Sequence, residues 1–162
     1  MAVIRVLLVD DYKRWRLTVR SILEDAHLED NRRFLIVGEA GDGVEAIEKA
    51  ATLLPDVVLL DIGLPRVNGI LAAKKIRQLS PESKIIYLTQ EVDADIQRAA
   101  LATGAAAYIV KSKAAHELLQ TLETVLVNRN PSGHREHTSL IPPVLPPDVE
   151  LCDSAIEADS TA

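Results

Sequence analysis

From position 3 to position 128 the chain alternates short apolar runs with longer stretches in which apolar residues recur every three or four positions. The runs 3–9 (VIRVLLV), 34–39 (FLIVGE), 56–60 (DVVLL), 84–89 (KIIYLT) and 107–110 (AYIV) are strand candidates. Val6, Leu7, Leu8 and Val9 follow one another without a polar break, the pattern of a strand buried on both faces. Between the runs the period is helical. Trp15, Val19, Ile22 and Ala26 share one face, as do Val44, Ile47, Ala51 and Leu54. Ile70, Ala73 and Ile76 mark a third helix, and Ile96, Ala99 and Ala100 a fourth. Leu118, Leu119, Leu122, Val125 and Leu126 mark a fifth. Breakers agree: Gly41–Gly43 opens the second helix, Pro55 precedes the third strand, Ser80–Pro81 closes the third helix, and Gly104 follows the fourth as a C-cap. Five strand–helix repeats predict an α/β fold with a parallel sheet covered on both faces. In such open sheets ligands sit beyond the carboxyl ends of the strands.

Composition changes this picture little. A chain of 162 residues suffices for one domain with its own core. With only Phe34, Trp15 and three tyrosines, that core must be aliphatic. The lone cysteine, Cys152, excludes an internal disulfide and fits a reducing compartment. The apolar runs fall far short of the roughly 20 residues that span a membrane. Arg5 and the acids after Val9 break the pattern of a signal peptide. A cytoplasmic location and no membrane association are expected.

The net charge of −6 is unevenly placed. Residues 1–130 hold 17 Lys+Arg against 18 Asp+Glu, whereas residues 131–162 hold Arg135 alone against six acids. Neither part has the basic field of a dedicated nucleic-acid binder, so no direct DNA binding is expected. Five of the eight prolines also lie in 131–162, which therefore reads as a disordered acidic tail following a domain over 1–130. Within it, "LIPPVLPP" suits a spacer better than a polyproline docking segment. His134 and His137 make a poor metal site.

The candidate chemistry lies at the strand tips. Strand one runs into Asp10 and Asp11, strand three into Asp61, strand four into Thr89 and strand five into Lys111. Singly, each has an ordinary explanation: a helix N-cap, a turn hydroxyl, a solvated charge. Together they bring three carboxylates, a hydroxyl and an ammonium to one edge of the sheet. Carboxylates so crowded would repel one another by about 4 kcal/mol at 4 Å and an effective dielectric near 20. A hard divalent cation with oxygen ligands, Mg2+, relieves that repulsion and screens an incoming phosphoryl group. Lys111 and Thr89 suit phosphoryl oxygens, and Asp61 on the central strand suits a nucleophile.

The stretches "LLVDDYKRWR", "VVLLDIGLPRVNGI", "IIYLTQE" and "AAYIVKS" resemble the CheY-like receiver domain of two-component response regulators over about residues 3–128. "VGEAGDGVEAIE" is most similar to the NarL/FixJ branch. The resemblance implies a flavodoxin-like (βα)5, doubly wound sheet of strand order 2-1-3-4-5. It implies phosphoryl transfer from a kinase phosphohistidine to Asp61, and Mg2+ held by Asp10, Asp11, Asp61 and the Gly63 backbone carbonyl. Asp11 would be the more direct ligand of the acidic pair. Thr89, the Gln90 backbone and Lys111 would hold the phosphoryl group, and Thr89 and Tyr108 would form the switch. Pro65 and Gly69 match the loop after the acceptor, Pro65 fixing its φ and Gly69 permitting a turn or close helix packing. One position departs from the pattern: Gln90 stands where the family has a small residue, which bears on access to the phosphoryl group and on its lifetime.

The implied partners are a sensor histidine kinase or phosphotransfer protein and an unidentified downstream protein. The surface altered on phosphorylation would comprise helix 93–103, strand 107–110 and helix 113–128, which also offers a route to a phosphorylation-dependent homodimer. Beyond its own phosphorylation and dephosphorylation no enzyme activity is expected. No helix-turn-helix output segment is expected after 128. Two further readings stand beside this one: a degenerate receiver that binds partners without phosphorylation, and the receiver part of a NarL-type DNA-binding regulator. A haloacid-dehalogenase-type enzyme wants D-x-D on one side of its first strand, which the adjacent pair Asp10–Asp11 does not offer.

Overall fold

A computed structural model of the chain describes residues 2–28 and 31–127. Strands β1 (Val3–Val9), β2 (Arg33–Ala40), β3 (Val57–Leu60), β4 (Lys84–Thr89) and β5 (Ala107–Val110) form one parallel sheet in the order β2-β1-β3-β4-β5. Helices α1 (Lys13–Glu24), α2 (Gly43–Leu53), α3 (Gly69–Leu79), α4 (Ala94–Leu101) and α5 (Ala114–Val127) alternate with them, α5 following a short 3-10 turn at Lys111–Lys113. The flavodoxin-like (βα)5 architecture expected from the sequence is the one observed. The expectations for 131–162, including the proline-rich segment, His134 and His137, lie outside the described residues.

The apolar runs are continuous because alternate residues serve opposite faces. Ile4, Val6 and Leu8 of β1 pack with Val57 and Leu59 of β3 against Val19 and Leu23 of α1 and Leu118, Leu122 and Leu126 of α5. Leu7 and Val9 pack with Val58 and Leu60 against Ala46 and Ala50 of α2, and Ala72, Ala73 and Ile76 of α3. The edge strand β2 breaks its own alternation. Its register steps from Val6↔Ile36 to Leu7↔Gly38, leaving Val37 unpaired in the ladder. Phe34 and Ile36 consequently pack toward α1 and α5, whereas Ala40 packs toward α2 and α3.

Four expectations from periodicity and one from a breaker are corrected. Helix α1 stops at Glu24, where the Asp25 N–H closes on Ser21 O, so Ala26 is not on the helix. The buried face of α2 is Gly43, Ala46 and Ala50, one position away from the expected stripe, of which Ile47 still packs, half-buried, against the core. Small residues win there because α2 packs closely: a Cβ at Gly43 would stand 1.9 Å from Val67 O. Leu54, placed on that stripe, is instead the C-cap at φ 46° and exposed. On α4 only Ala100 is buried and Ala99 is exposed, while Gly104, at φ +85°, lies beyond the Ala102 cap.

Gly69 serves close packing rather than an unusual turn. A Cβ there would stand 2.0 Å from Asp61 O and 2.7 Å from Ile62 Cα. Gly69→Ala is therefore expected to destabilise by about 3 kcal/mol, the upper end of overpacking costs. Gly63→Ala, with nothing within 4 Å of the added methyl, is expected to stay within about 0.5 kcal/mol of wild type. Urea unfolding midpoints at unchanged slope check both.

Candidate functional site

The sheet runs one step past its last paired residues at β1 and β3. The Asp10 N–H donates to Ala40 O and the Asp61 N–H to Val9 O, each at 3.0 Å, which sets the two carboxylates side by side. Leu8, Leu59 and Ile109 all face α1 and α5. Asp10, Asp61 and Lys111 stand two residues beyond them, so the strand alternation sends all three to that same side. Lys111 Nζ lies 2.5 Å from Asp10 Oδ2 and 2.9 Å from Asp61 Oδ2, with all three side chains at most 9% exposed. Water thus screens the ammonium's attraction to its two partners only weakly.

Asp11 is exposed beside them. One carboxylate oxygen from each of Asp10, Asp11 and Asp61 falls within 4.8 Å of the others, a spacing and donor set that fit a single hard cation. A cleft of about 420 Å3 opens over Asp61 and is lined by Asp11, Trp15, Gly63, Thr89, Gln90 and Lys111, among others. Six of the residues singled out in the sequence therefore share one cleft, with Asp10 beneath it.

Burial pushes the Asp10 carboxyl above its usual range, and the Asp61 charge adds to this; Lys111 and the Tyr12 N–H pull the other way. The Tyr12 N–H reaches Asp10 Oδ1 at 2.8 Å. For Lys111, burial alone would lower the value, but the bonds to Asp10 and Asp61 outweigh it and raise it. The lysine is held charged by the groups it neutralises.

Thr89 is 1% exposed, and its Oγ1 accepts the Glu91 N–H at 3.3 Å. The Glu91 carbonyl in turn accepts the Tyr108 hydroxyl at 2.9 Å. Tyr108 is outside the cleft lining, its ring 6.1 Å from that of Tyr87. Pro65 and Gly69 are also off the cleft. Pro65 O accepts the Val67 N–H at 2.8 Å, and the Gly69 N–H reaches Ile62 O at 2.8 Å. Gly63 lines the cleft, with its N–H 3.4 Å from Asp61 Oδ1.

Sequence reasoning missed a clamp behind the acidic loop. Arg16 donates from Nη1 to Asp10 O at 2.6 Å and from Nε to Glu39 Oε2 at 2.9 Å, while Arg20 holds the other Glu39 oxygen. These bonds hold Glu39 below the ordinary glutamate range, the Arg20 bond contributing most. Nothing in one dimension marks Arg16, because one partner is a backbone oxygen and the other lies on β2.

A family model described as the response regulator receiver domain matches residues 6–123. The chain is 37% identical over 122 residues to Protein CcdB of Bacillus subtilis (strain 168), which covers 75% of this chain and 97% of that protein. It is 35% identical over 122 residues to Response regulator UvrY of Escherichia coli (strain K12), covering 75% of this chain and 54% of that protein. The chain thus spans about half the length of several curated relatives it matches, UvrY among them. Among solved structures it is similar to the CheX–CheY–BeF3–Mg2+ complex from Borrelia burgdorferi. That match has a TM-score of 0.69 at 26% identity, over 76% of this chain and 89% of that chain.

Two outcomes follow from the charges. Lys111→Met leaves Asp10 and Asp61 facing each other and is expected to cost about 3–5 kcal/mol in metal-free buffer, measured by urea unfolding. The stability contributed by Glu39 is complete above pH 4.5, the ordinary glutamate value, and is lost as pH falls through its lowered folded value. Wild type should therefore lose stability more steeply than Glu39→Gln as pH falls below 4.5, a difference that thermal melts at stepped pH will register.

Proposed function

This chain belongs to the response regulator receiver domain family, and from that premise we propose that it is a phosphoacceptor, charged on Asp61 by a histidine kinase or phosphotransfer protein. Receiver domains partner with such proteins and bind Mg2+ at an acidic pocket. The observation that carries the reading is the bridge from Lys111 Nζ to both Asp10 Oδ2 and Asp61 Oδ2 at the floor of an open cleft.

In the proposed reaction an Asp61 carboxylate oxygen attacks the phosphorus of a phosphohistidine. The P–N bond breaks, and the imidazole nitrogen leaves with the bonding pair. An ammonium has three N–H donors; two of them meet Asp10 and Asp61, and the third is available to a phosphoryl oxygen. Thr89 offers its hydroxyl proton to another oxygen, with the Gln90 N–H beside it. Asp10, Asp11, Asp61 and the Gly63 carbonyl would hold Mg2+, with Asp11 the most accessible of the carboxylates. When bound, the ion supplies positive charge against the phosphoryl oxygens. The nearby CheY complex, which contains BeF3 and Mg2+, supports this assignment.

Thr89 also supplies the switch. Drawing its hydroxyl toward the phosphoryl group disturbs the Glu91 N–H bond, and the Glu91 carbonyl is where the Tyr108 hydroxyl docks. The readout is a change in the α4-β5-α5 surface, used for contact with a downstream protein or a second copy of the chain. Two charge-assisted bonds of roughly 1.5–3 kcal/mol each approach the about 5.5 kcal/mol needed to invert a 1:99 equilibrium. Residues 1–130 would form the receiver, acting in the cytoplasm. Relatives named as transcriptional regulators, of which this chain matches little more than half, keep open the assignment to part of a DNA-binding regulator.

Incubation with MgCl2 and acetyl phosphate should add one phosphoryl group per chain by intact mass, and none to Asp61→Asn. Equal incorporation in the two proteins would overturn the reading, and none in either would favour partner binding without phosphorylation. Trp15, the single tryptophan, lines the cleft, so its emission should report Mg2+ titrations. Asp11→Asn is expected to weaken Mg2+ at least about tenfold, the scale on which even outer-shell partners act.

A further inference from the structure

Trp15 has no part in the chemistry above, yet Lys111 Nζ lies 5.4 Å from its ring centroid. That is within the about 6 Å over which an aromatic face attracts a cation. The ring is shared between two environments: one side packs into the core between α1 and the sheet, and another lines the cleft. Its Nε1 is buried and has no hydrogen-bond partner. An unpaired buried donor is a cost that a leucine or methionine in the same seam would not carry. What the indole offers in return is its face, and Lys111 is the cation above it.

Lys111 needs such support. Its stem has four rotatable bonds, and its two carboxylate partners lie on the strand tips. When Asp61 becomes an acyl phosphate, the bond that its carboxylate makes with the ammonium must be remade to a phosphoryl oxygen. The indole face is a partner that this reaction does not consume. We propose that Trp15 is a positioning residue for Lys111, its ring holding the ammonium at the cleft through phosphoryl transfer. The inference rests on the phosphoacceptor reading of Asp61.

The test compares wild type with Trp15→Leu, which removes the ring, and Trp15→Phe, which keeps a π face and removes the unpaired donor. With acetyl phosphate at saturating Mg2+, Trp15→Leu should be phosphorylated about 2- to 30-fold more slowly, the range of cation–π strengths expressed as a rate ratio. Trp15→Phe should recover most of the loss. Mg2+ affinity by calorimetry should stay as in wild type in both variants, since the ring's charged partner is Lys111 and not a carboxylate. A fall in Mg2+ affinity parallel to the rate in Trp15→Leu would mean a merely structural disturbance and overturn the proposal, as would a Leu variant as fast as wild type. A readout free of metal and phosphate separates the two ideas. Ring currents should shift the Lys111 ε-methylene protons upfield in wild type and Trp15→Phe, and not in Trp15→Leu. Identical Lys111 shifts in all three would sink the placement while leaving the phosphoacceptor reading intact; a wild type that never takes up phosphate would sink both.

Discussion

One buried ammonium between two carboxylates organises this molecule. Without Lys111, Asp10 and Asp61 would meet across the β1–β3 seam with a repulsion on the order of 4 kcal/mol at 4 Å and moderate dielectric. With it, each carboxylate has a partner at 2.5 or 2.9 Å, and the lysine's charge is secured by theirs. The bridge joins residues fifty positions apart in sequence, so it exists only once β5 has docked beside β4 and β4 beside β3. Sheet topology and site electrostatics are therefore satisfied together or not at all.

The strands could be read directly because each is a run of aliphatic residues, and the core strands fill both of their faces. The tips were legible for the same reason: an apolar run that ends on Asp61 or Lys111 announces where burial stops. Helix faces were less legible. Hydropathy ranks Val44 and Leu54 above Gly43 and Ala46, but distance of approach decides the packing of α2, and only small residues allow it. The clamp of Arg16 on Asp10 and Glu39 left no trace in the pattern, since hydrogen bonds to backbone oxygens carry no periodicity. Trp15 was visible only as one more apolar position on α1. Its proximity to Lys111 joins two elements about a hundred residues apart, which no local window contains.

The cleft and the distal surface are linked by a short path. Thr89, the Glu91 peptide and Tyr108 form three consecutive hydrogen-bonded stations from the cleft wall to the outside of β5. Neither bond is buried deeply enough to be rigid, and the Glu91 N–H contact is long at 3.3 Å. Segments that must move on a modest local stimulus are drawn from the less tightly held parts of a fold, and this path has that character. In the proposed switch, the opposite side of the cleft, with its ion pairs and the Arg16 clamp, is the fixed frame.

The skipped residue in β2 has a consequence for how the gene can change. Edge strands ordinarily tolerate insertions and deletions better than central ones. Here the skip at Val37 keeps Glu39 opposite Leu8 and facing α1, and through Arg16 that placement anchors the acidic loop on the neighbouring strand. Losing that one codon would make the pairing regular and leave Glu39 opposite Leu8, toward α1, whereas one codon more between Ile36 and Glu39 would turn the acid toward α2 unless the bulge widened to take it. A shortening at this margin is absorbed by the bulge; a lengthening is an inherited lesion of the cleft.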